Sequence, residues 1–298
     1  MHPIQRTWSR TRINLMQRCP RAFVLRYGIA ACATGHPTGQ LLKDSFAIQT
    51  PWILMQMSIR ETIRDYVEDY QMGLKWSNKI VRIKFNQAFQ YRIKDRNSII
   101  AQLQEWEEPE LVFRKVKPEK HLEEIGVKRC IKLIQNTSFV TFLDTAIIKS
   151  ISFTKSKMID GIKVYNSPDF LAEKDQERYL IRINLFGYNS IEQINQDAAV
   201  FSLGMKDQTI VQYTWKNGGW FVHKTNVSQK EKNSIRRLIH LDSKQMDNIL
   251  KLVRPKNNME QVPFADSPRA CMHCSVRFLC PAKHGLEEAK SEQMSLMC

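Results

Sequence analysis

The amino-acid sequence predicts a mixed α/β fold with one central sheet. Helical periodicity covers residues 11–27, 51–72, 79–106 and 118–136, and strand-like patterns then cover residues 138–186. A helix at 190–206, a hairpin at 208–227 and an amphipathic helix at 228–253 complete the pattern. Helices, strands, helix, strands and helix in this order are typical of one sheet with helices packed against it.

The first half of the chain is predicted to be mostly helical. The helical segment at 11–27 has a bend or a new helix start near Pro20, since proline lacks the amide hydrogen that a helix interior needs. The stretch from Gly28 to Gly39 is predicted to be a loop. The helix at 51–72 has Pro51 at its first position, where proline is favoured. Its apolar residues recur at steps of three and four and predict one buried face: Leu54, Met55, Ile59, Ile63, Tyr66, Val67 and Tyr70.

The second half carries the predicted sheet. Segments 138–148, 150–156, 161–173 and 178–186 are rich in β-branched residues and predict three or four strands. Asn217-Gly218-Gly219 separates two further apolar runs and predicts the turn of a hairpin.

Charge is the most informative feature of the composition. The 298 residues include 45 Lys+Arg and 30 Asp+Glu, a net charge of +15. Such an excess favours a polyanionic partner, most commonly a nucleic acid, although a basic face that docks an acidic protein remains an alternative. The chain has no apolar stretch long enough to span a membrane and no secretory signal pattern, so we expect a cytoplasmic protein without a membrane partner.

Four of the seven cysteines form an organised pattern. Cys271-x2-Cys274-x5-Cys280 has the spacing of thiolate ligands around one metal centre, whereas Cys130 lies in an apolar helical pattern and is predicted to be a buried thiol. The segment offers His273 and His284 as a fourth ligand, but Cys19 is the better candidate. A zinc site, an iron–sulfur cluster and three unrelated thiols remain alternatives at this point.

The ends of the chain resemble a known family. The N-terminal motif is Ser9-x2-Arg12-Ile13-Asn14-x5-Pro20-Arg21-x-Phe23-x-Leu25-Arg26-Tyr27, and the three-cysteine motif follows far downstream. Together they resemble the RecB-like PD-(D/E)XK nucleases with an iron–sulfur cluster, which include the CRISPR-associated RecB-like exonucleases and the nuclease domain of the AddB helicase–nuclease subunit. The resemblance extends from about Ser9 to Pro281. It implies a 4Fe-4S cluster held by Cys19, Cys271, Cys274 and Cys280, with zinc as the alternative, that clasps the two ends of the chain.

The resemblance also implies where a nuclease site would lie. The family uses a helical His, an Asp, an acid-x-Lys pair on the next strand and a following Gln-x3-Tyr helix, and its carboxylates hold divalent metal. Here Ser167-Pro168-Asp169-Phe170 matches the first Asp. The other positions differ: Arg60 replaces the His, Arg182 the acid and Asn184 the Lys, and Asp197 to Phe201 replaces Gln-x3-Tyr.

These replacements predict a nuclease-like protein that does not cut. Guanidinium stays charged at any ordinary pH and cannot serve as a metal ligand, so no catalytic magnesium or manganese is expected. Arg60 and Arg182 either pair with Asp169 in an inert cavity or bind a phosphate where metals would bind in the family. A displaced metal-dependent exonuclease site at Asp169 and Glu173 is the enzymatic alternative. The acid-x-Lys triplets Asp242-Ser243-Lys244 and Glu288-Ala289-Lys290 are predicted to be a helix start and a polar tail.

A cationic segment next to Cys19 is the second candidate site. Arginines interspersed with Trp8 and Tyr27 suit a phosphate track with base stacking, although a solvated helix face is the simpler alternative. The predicted nucleic-acid-binding residues are Arg6, Arg10, Arg12, Arg18, Arg21, Arg26, Arg60 and Arg182.

The sequence thus predicts a single PD-(D/E)XK-like domain over residues 1–298. It comprises an Arg-rich segment (1–50), a helical region (51–136), a nuclease-like core (137–253) and the cysteine cluster with its tail (254–298). We expect a pseudonuclease that binds nucleic acid, namely DNA, as one subunit of a DNA-processing, defence or mobile-element complex. An active exonuclease and a basic protein-docking scaffold are the alternatives.

Overall fold

The protein is a mixed α/β structure. The computed structural model describes residues 6–32, 37–104, 120–151, 156–165, 168–185, 190–204, 208–253, 259–272 and 274–297. Its helices are α1 (Arg10–Arg18), α2 (Pro20–Val24), α3 (Ala30–Cys32), α4 (Pro37–Ala47), α5 (Pro51–Gln71), α6 (Asn78–Gln104), α7 (Lys120–Ile134), α8 (Thr137–Thr145), α9 (Ile191–Ser202), α10 (Gln229–Lys251), α11 (Pro268–Met272) and α12 (Leu286–Met297). Its strands are β1 (Thr7–Trp8), β2 (Ile147–Ile151), β3 (Ser156–Ile159), β4 (Ile162–Tyr165), β5 (Phe170–Lys174), β6 (Glu177–Asn184), β7 (Thr209–Lys216) and β8 (Gly219–Asn226).

The described residues fall into two compact units. The terminal unit draws them from Met1–Gln49, Asp95–Lys115 and Ile239–Cys298, and the central unit from Thr50–Lys94 and Val116–Leu238. The expectation of a single domain stays a prediction. No helix in the described part of the chain is both long and apolar enough to cross a membrane.

The central unit contains a five-stranded mixed sheet in the order β2-β5-β6-β7-β8. Strands β6 and β7 are parallel and are joined through α9, whereas the other neighbours are antiparallel. The register places Arg182 opposite Gln212 and Asn184 opposite Thr214. The predicted hairpin is β7–β8, and its turn residue Asn217 has a positive φ of 50°, which the Asn-Gly sequence accommodates.

Both faces of this sheet are covered. The apolar face of α5 packs with buried residues of α6, α7 and α8 and with one face of the sheet, where Ile181, Ile183 and Tyr213 contribute. Residues of the opposite face, including Leu180 and Ile210, pack with α9. Neighbouring residues of β6 therefore point to different cores, as the two-residue period of a strand requires.

Helices α6 and α7 approach closely where glycine leaves room for an aromatic ring. A Cβ atom added to Gly126 in α7 would lie 2.0 Å from Cζ of Phe85, and Phe85 in α6 is fully buried. The glycine therefore serves close packing rather than chain flexibility.

We expect Gly126→Ala to destabilise the protein by about 1–3 kcal/mol, because the added methyl group overpacks the core. Alanine in place of glycine ordinarily stabilises a helix by about 1 kcal/mol, so a destabilising effect would indicate overpacking. Urea unfolding measures the change in the free energy of unfolding. Gly219→Ala is the matched control, since nothing lies within 4 Å of the added Cβ. A Gly126→Ala protein that is as stable as the parent would contradict the packing.

The terminal unit brings sequence-distant segments together. The indole Nε1 of Trp8 donates to Oδ2 of Asp242 at 2.8 Å, and both side chains are buried. Apolar clusters form around Phe46 and Val276 and around Phe264 and Leu286.

The structure corrects three local predictions. Residues 138–145, predicted as strand, belong to α8, because Asn136 caps the helix and Phe139, Phe142 and Leu143 bury one side of it. The predicted loop from Gly28 is helical over most of its described part, as a π-helical turn (Leu25–Ile29), α3 and the start of α4. The triplet starting at Asp242 lies inside α10 instead of at its start.

Candidate functional site

The Asp169 centre is the first candidate site and lies in the central unit. Asp169 immediately precedes β5, where its backbone N–H donates to the carbonyl of Ile181 at 2.8 Å. Its Oδ2 accepts from the backbone N–H of Ile183 at 2.7 Å and from Nη1 of Arg182 at 3.2 Å. Two neighbouring groups on β6 therefore hold a carboxylate that is only 11% exposed.

Arginine from α5 completes the Asp169 centre. Nε of Arg60 lies 3.8 Å from Oδ1 of Asp169, and Nη2 of Arg60 donates to the carbonyl of Ile183 at 3.3 Å. Arg64, one turn further along α5, lies within electrostatic range of Asp169; burial lowers the pKa of Arg64, and the carboxylate opposes that shift. Two guanidinium groups thus pair with one carboxylate, and Arg64 is influenced by Asp65, Glu61 and Glu68 as well as by Asp169.

Asn184, at the position of the family's lysine, is bound into a separate network. Its amide Nδ2 donates to Oε1 of Gln212 at 2.9 Å and contacts Oγ1 of Thr214 at 3.4 Å. Gln212 in turn donates to the carbonyl of Ile194 in α9 at 2.8 Å. Gln212 is fully buried, so the network fixes the amide of Asn184 between β6, β7 and α9.

Phe201 and Glu173 are two further positions that the sequence singled out, and only Phe201 lies near the Asp169 centre. The ring of Phe201, at the end of the segment that replaces Gln-x3-Tyr, lies 5.3 Å from the guanidinium carbon of Arg182. Glu173 pairs with Lys149 at 3.3 Å and lies four residues along β5 from Asp169, a separation of about 13 Å in an extended strand. The structure does not bring Glu173 to Asp169. Ser167 lies outside the described residues.

The four cysteines form the second candidate site, in the terminal unit. Cys19 lies between α1 and α2, and its Sγ accepts from the backbone N–H of Ala22 at 3.4 Å. Cys271 is in α11, and short turns carry the chain through Cys274 to Cys280. All four are free, partly buried thiols, whereas Cys130 is a fully buried one, as predicted.

These four thiols lie within electrostatic range of one another. Burial raises the pKa of Cys19, Cys274 and Cys280 above the ordinary value, and the charge of neighbouring cysteines raises it further. Cys274 is influenced by all three of the others. Thiolates held close together repel one another, and a bound cation would relieve this repulsion.

The spacing of the thiols bears on what they can hold. Among the residues that the structure describes, no three His, Cys, Asp or Glu side chains are arranged around a single metal ion. Zinc bound to four thiolates at 2.3 Å needs sulfurs about 3.8 Å apart, whereas a cluster of several irons spreads its ligands more widely. Four thiolates are a suitable ligand set for either group. His284 is exposed, and His273 lies outside the described residues.

Arg21 adds a fixed positive charge beside the thiols. Its Nε donates to the carbonyl of Val262 at 2.9 Å, and its guanidinium carbon lies 3.7 Å from the ring centroid of Phe264. Its pKa is lowered by burial, an effect opposed by Cys280 and Cys19. Since Arg21 is only 5% exposed, its role in this structure is packing and charge balance, which does not support its prediction as a phosphate contact.

The other arginines near Cys19 occupy the surface in different ways. Arg6 is exposed and pairs with Asp247 at 2.7 Å, and Arg18 is exposed at the end of α1. Arg10, Arg12 and Arg26 are partly exposed and contact aromatic rings. Arg12 and Arg26 both lie over Tyr27, and Trp8 is only 1% exposed. The expectation that Trp8 stacks on a base is therefore wrong, because its indole is buried against Asp242.

Sequence reasoning missed Arg64, Gln212 and the exposed face of α6. Arg64 follows Arg60 by four residues on a helix, a spacing that puts both on one face. Gln212 is a polar residue inside an apolar strand, which is a signal of a buried hydrogen-bond network. The run from Lys75 to Lys94 without an acidic residue was also visible in the sequence.

The chain was compared with protein-family models, curated proteins and solved structures. Neither a protein-family model nor a curated protein matches the chain. Among solved structures, the chain is similar to the crystal structure of SSO0001, with 11% sequence identity and a TM-score of 0.28, over 78% of this chain and 97% of that chain.

Proposed function

We propose that the protein is a catalytically inactive PD-(D/E)XK nuclease-like protein that binds nucleic acid as a subunit of a DNA-processing, defence or mobile-element complex. The observation that carries the proposal is the pairing of Asp169 with two arginines. Its carboxylate contacts Arg182, Arg60 and the Ile183 N–H, and Asn184 is bound to Gln212.

Metal-dependent hydrolysis needs oxygen ligands that this centre does not offer. A magnesium ion would require several oxygens at about 2.0–2.1 Å, and the metal would have to displace the arginines from Asp169. Arg60 and Arg182 would repel the cation at the same time. The charge of the centre therefore favours an anion over a cation.

Nucleic-acid binding follows from the same charges. The side chains of Arg60 and Arg182 are 34% and 23% exposed, so both remain accessible to a phosphate beside Asp169. Planar guanidinium donors suit phosphate oxygens, and the net charge of +15 adds a long-range attraction. Binding of this kind depends steeply on salt.

An iron–sulfur cluster at Cys19, Cys271, Cys274 and Cys280 is part of the proposal. Four thiolates are the donor set of such a cluster, and the coupling of the four cysteines supports it. When bound, the group would supply structural cross-linking between segments that are about 250 residues apart in sequence. Arg21 would offset part of the negative charge of the ligands.

A cleavage assay with magnesium and then manganese tests the inactive state. Labelled single-stranded and duplex DNA should remain intact, and the Asp169→Asn protein should behave like the parent. Metal-dependent cutting that Asp169→Asn abolishes would overturn the proposal and favour the exonuclease alternative.

A binding assay tests the positive half of the proposal. Fluorescence anisotropy should show DNA binding that weakens as salt rises, and Arg182→Gln should weaken it by about tenfold. Arg178→Gln is the matched control, because Arg178 is an exposed arginine on the same strand. Thermal unfolding checks that both variants are folded. Absence of binding even at low salt would favour the basic scaffold that docks an acidic protein.

A further inference from the structure

The outward face of α6 in the central unit is basic and unusually rich in exposed apolar area. Lys79, Lys84 and Lys94 are exposed, and they extend over about 22 Å of helix at 1.5 Å per residue. Tyr91 on the same face is 72% exposed and Ile83 is 46% exposed. Phe85 and Phe89 on the buried side of the helix pack into the core, whereas Tyr91 and Ile83 on the outward face do not belong to it.

This face differs from an ordinary solvated helix surface. Such a surface usually alternates acids and bases at steps of four residues, which stabilises the helix. The sequence from Tyr70 to Lys94 has no Asp or Glu. Among the described residues, no carboxylate forms an ion pair with Lys79, Lys84 or Lys94.

Neighbouring helices contribute acids near this face, and Asp95 is the first acid of α6 itself. Glu61 of α5 pairs with Arg92, and Glu123 of α7 accepts from Gln90. Asp65 of α5 lies within electrostatic range of Lys84. Arg92 is thus paired with an acid and Lys84 lies near one, while no ion pair of Lys79 or Lys94 is present among the described residues.

We propose that the α6 face formed by Lys79, Ile83, Lys84, Tyr91 and Lys94 binds a single-stranded nucleic acid. Lysine ammonium groups attract phosphates without demanding a fixed geometry, and an exposed tyrosine ring offers a stacking platform. A base can stack on Tyr91 only if it is unpaired, which is why a single strand fits better than a duplex. This inference rests on the proposed nucleic-acid binding and adds to it a surface distinct from the Asp169 centre.

The stacking contact is tested with a fluorescein-labelled oligothymidine. Tyr91→Ala should weaken its binding by about tenfold, because a stacked base contributes about 1–3 kcal/mol, whereas Tyr91→Phe should bind like the parent. A duplex of equal length should be affected much less. Equal loss for the alanine and phenylalanine variants would argue against stacking.

The phosphate contacts are tested through salt dependence. The combined change Lys79→Ala, Lys84→Ala and Lys94→Ala should lower the slope of log K against log salt by about two. The control removes three other exposed lysines, Lys43, Lys128 and Lys216, and should leave the slope unchanged.

The outcomes separate this inference from the broader proposal. In one outcome, Tyr91→Ala and the triple lysine variant both bind the oligonucleotide as well as the unaltered protein does. The α6 inference is then overturned, an acidic protein becomes the better partner for this face, and the proposed function stands. If the unaltered protein does not bind at low salt, both are overturned.

Discussion

Replacing Asp169 with alanine should destabilise the central unit by about 2–3 kcal/mol. The change removes the acceptor of the Ile183 N–H and leaves Arg60 and Arg182 without their shared carboxylate. Breaking a fully buried ion pair costs about 3–5 kcal/mol, and the partial exposure of the two arginines reduces that figure. Guanidinium chloride unfolding of parent and variant measures the difference.

Two further variants show whether charge causes the Asp169→Ala effect. Adding Arg182→Ala to Asp169→Ala should recover part of the loss, because one unpaired cation is removed as well. Glu173→Ala is the control on the same strand, since its pair with Lys149 is well exposed and should cost less than about 0.5 kcal/mol. An Asp169→Ala protein as stable as Glu173→Ala would mean that the arginines do not depend on this carboxylate.

Replacing Cys19 with serine should abolish the metal content of the protein. If the four thiolates hold a 4Fe-4S cluster, the anaerobically purified parent contains about four irons per chain and absorbs visible light. Loss of one ligand should release the cluster and lower the thermal stability of the terminal unit, since binding free energy of such a group is folding free energy.

Cys130→Ala is the matched control for that experiment. Cys130 is a buried thiol in the central unit, so its removal should leave iron content unchanged and cost only packing energy. One zinc per chain in the parent would replace the iron–sulfur assignment with a zinc site. A metal-free parent, or a Cys19→Ser protein with its full iron content, would remove Cys19 from the ligand set.

Periodic segments were predictable from the sequence because local pattern decides them. The apolar face of α5 at steps of three and four residues and the Asn-Gly turn of the β7–β8 hairpin both formed where the pattern indicated. Helix α8 was predicted as strand, because Val140 and Thr141 suggest β structure, whereas the Asn136 cap and the burial of Phe139 decide for helix.

The candidate sites depended on contacts that no local pattern contains. The sequence suggested that Arg60 and Arg182 either pair with Asp169 or face a phosphate, and only the distances show the ion pairs. The hydrogen bond between Trp8 and Asp242 joins residues 234 positions apart, so the sequence around Trp8 does not predict that its side chain is buried. Contacts of this kind are determined by tertiary packing and not by local secondary-structure propensity.

The discontinuous terminal unit has a consequence for how the protein is made. Its first part ends at Gln49, and the last part, which supplies Asp242 and Val262 as partners for Trp8 and Arg21, starts at Ile239. A ribosome adds about 5–20 residues per second, so the nascent N-terminal helices wait on the order of ten seconds or more for those partners. During that interval the side chains of Trp8 and Phe23, buried in the finished protein, are open to chaperones.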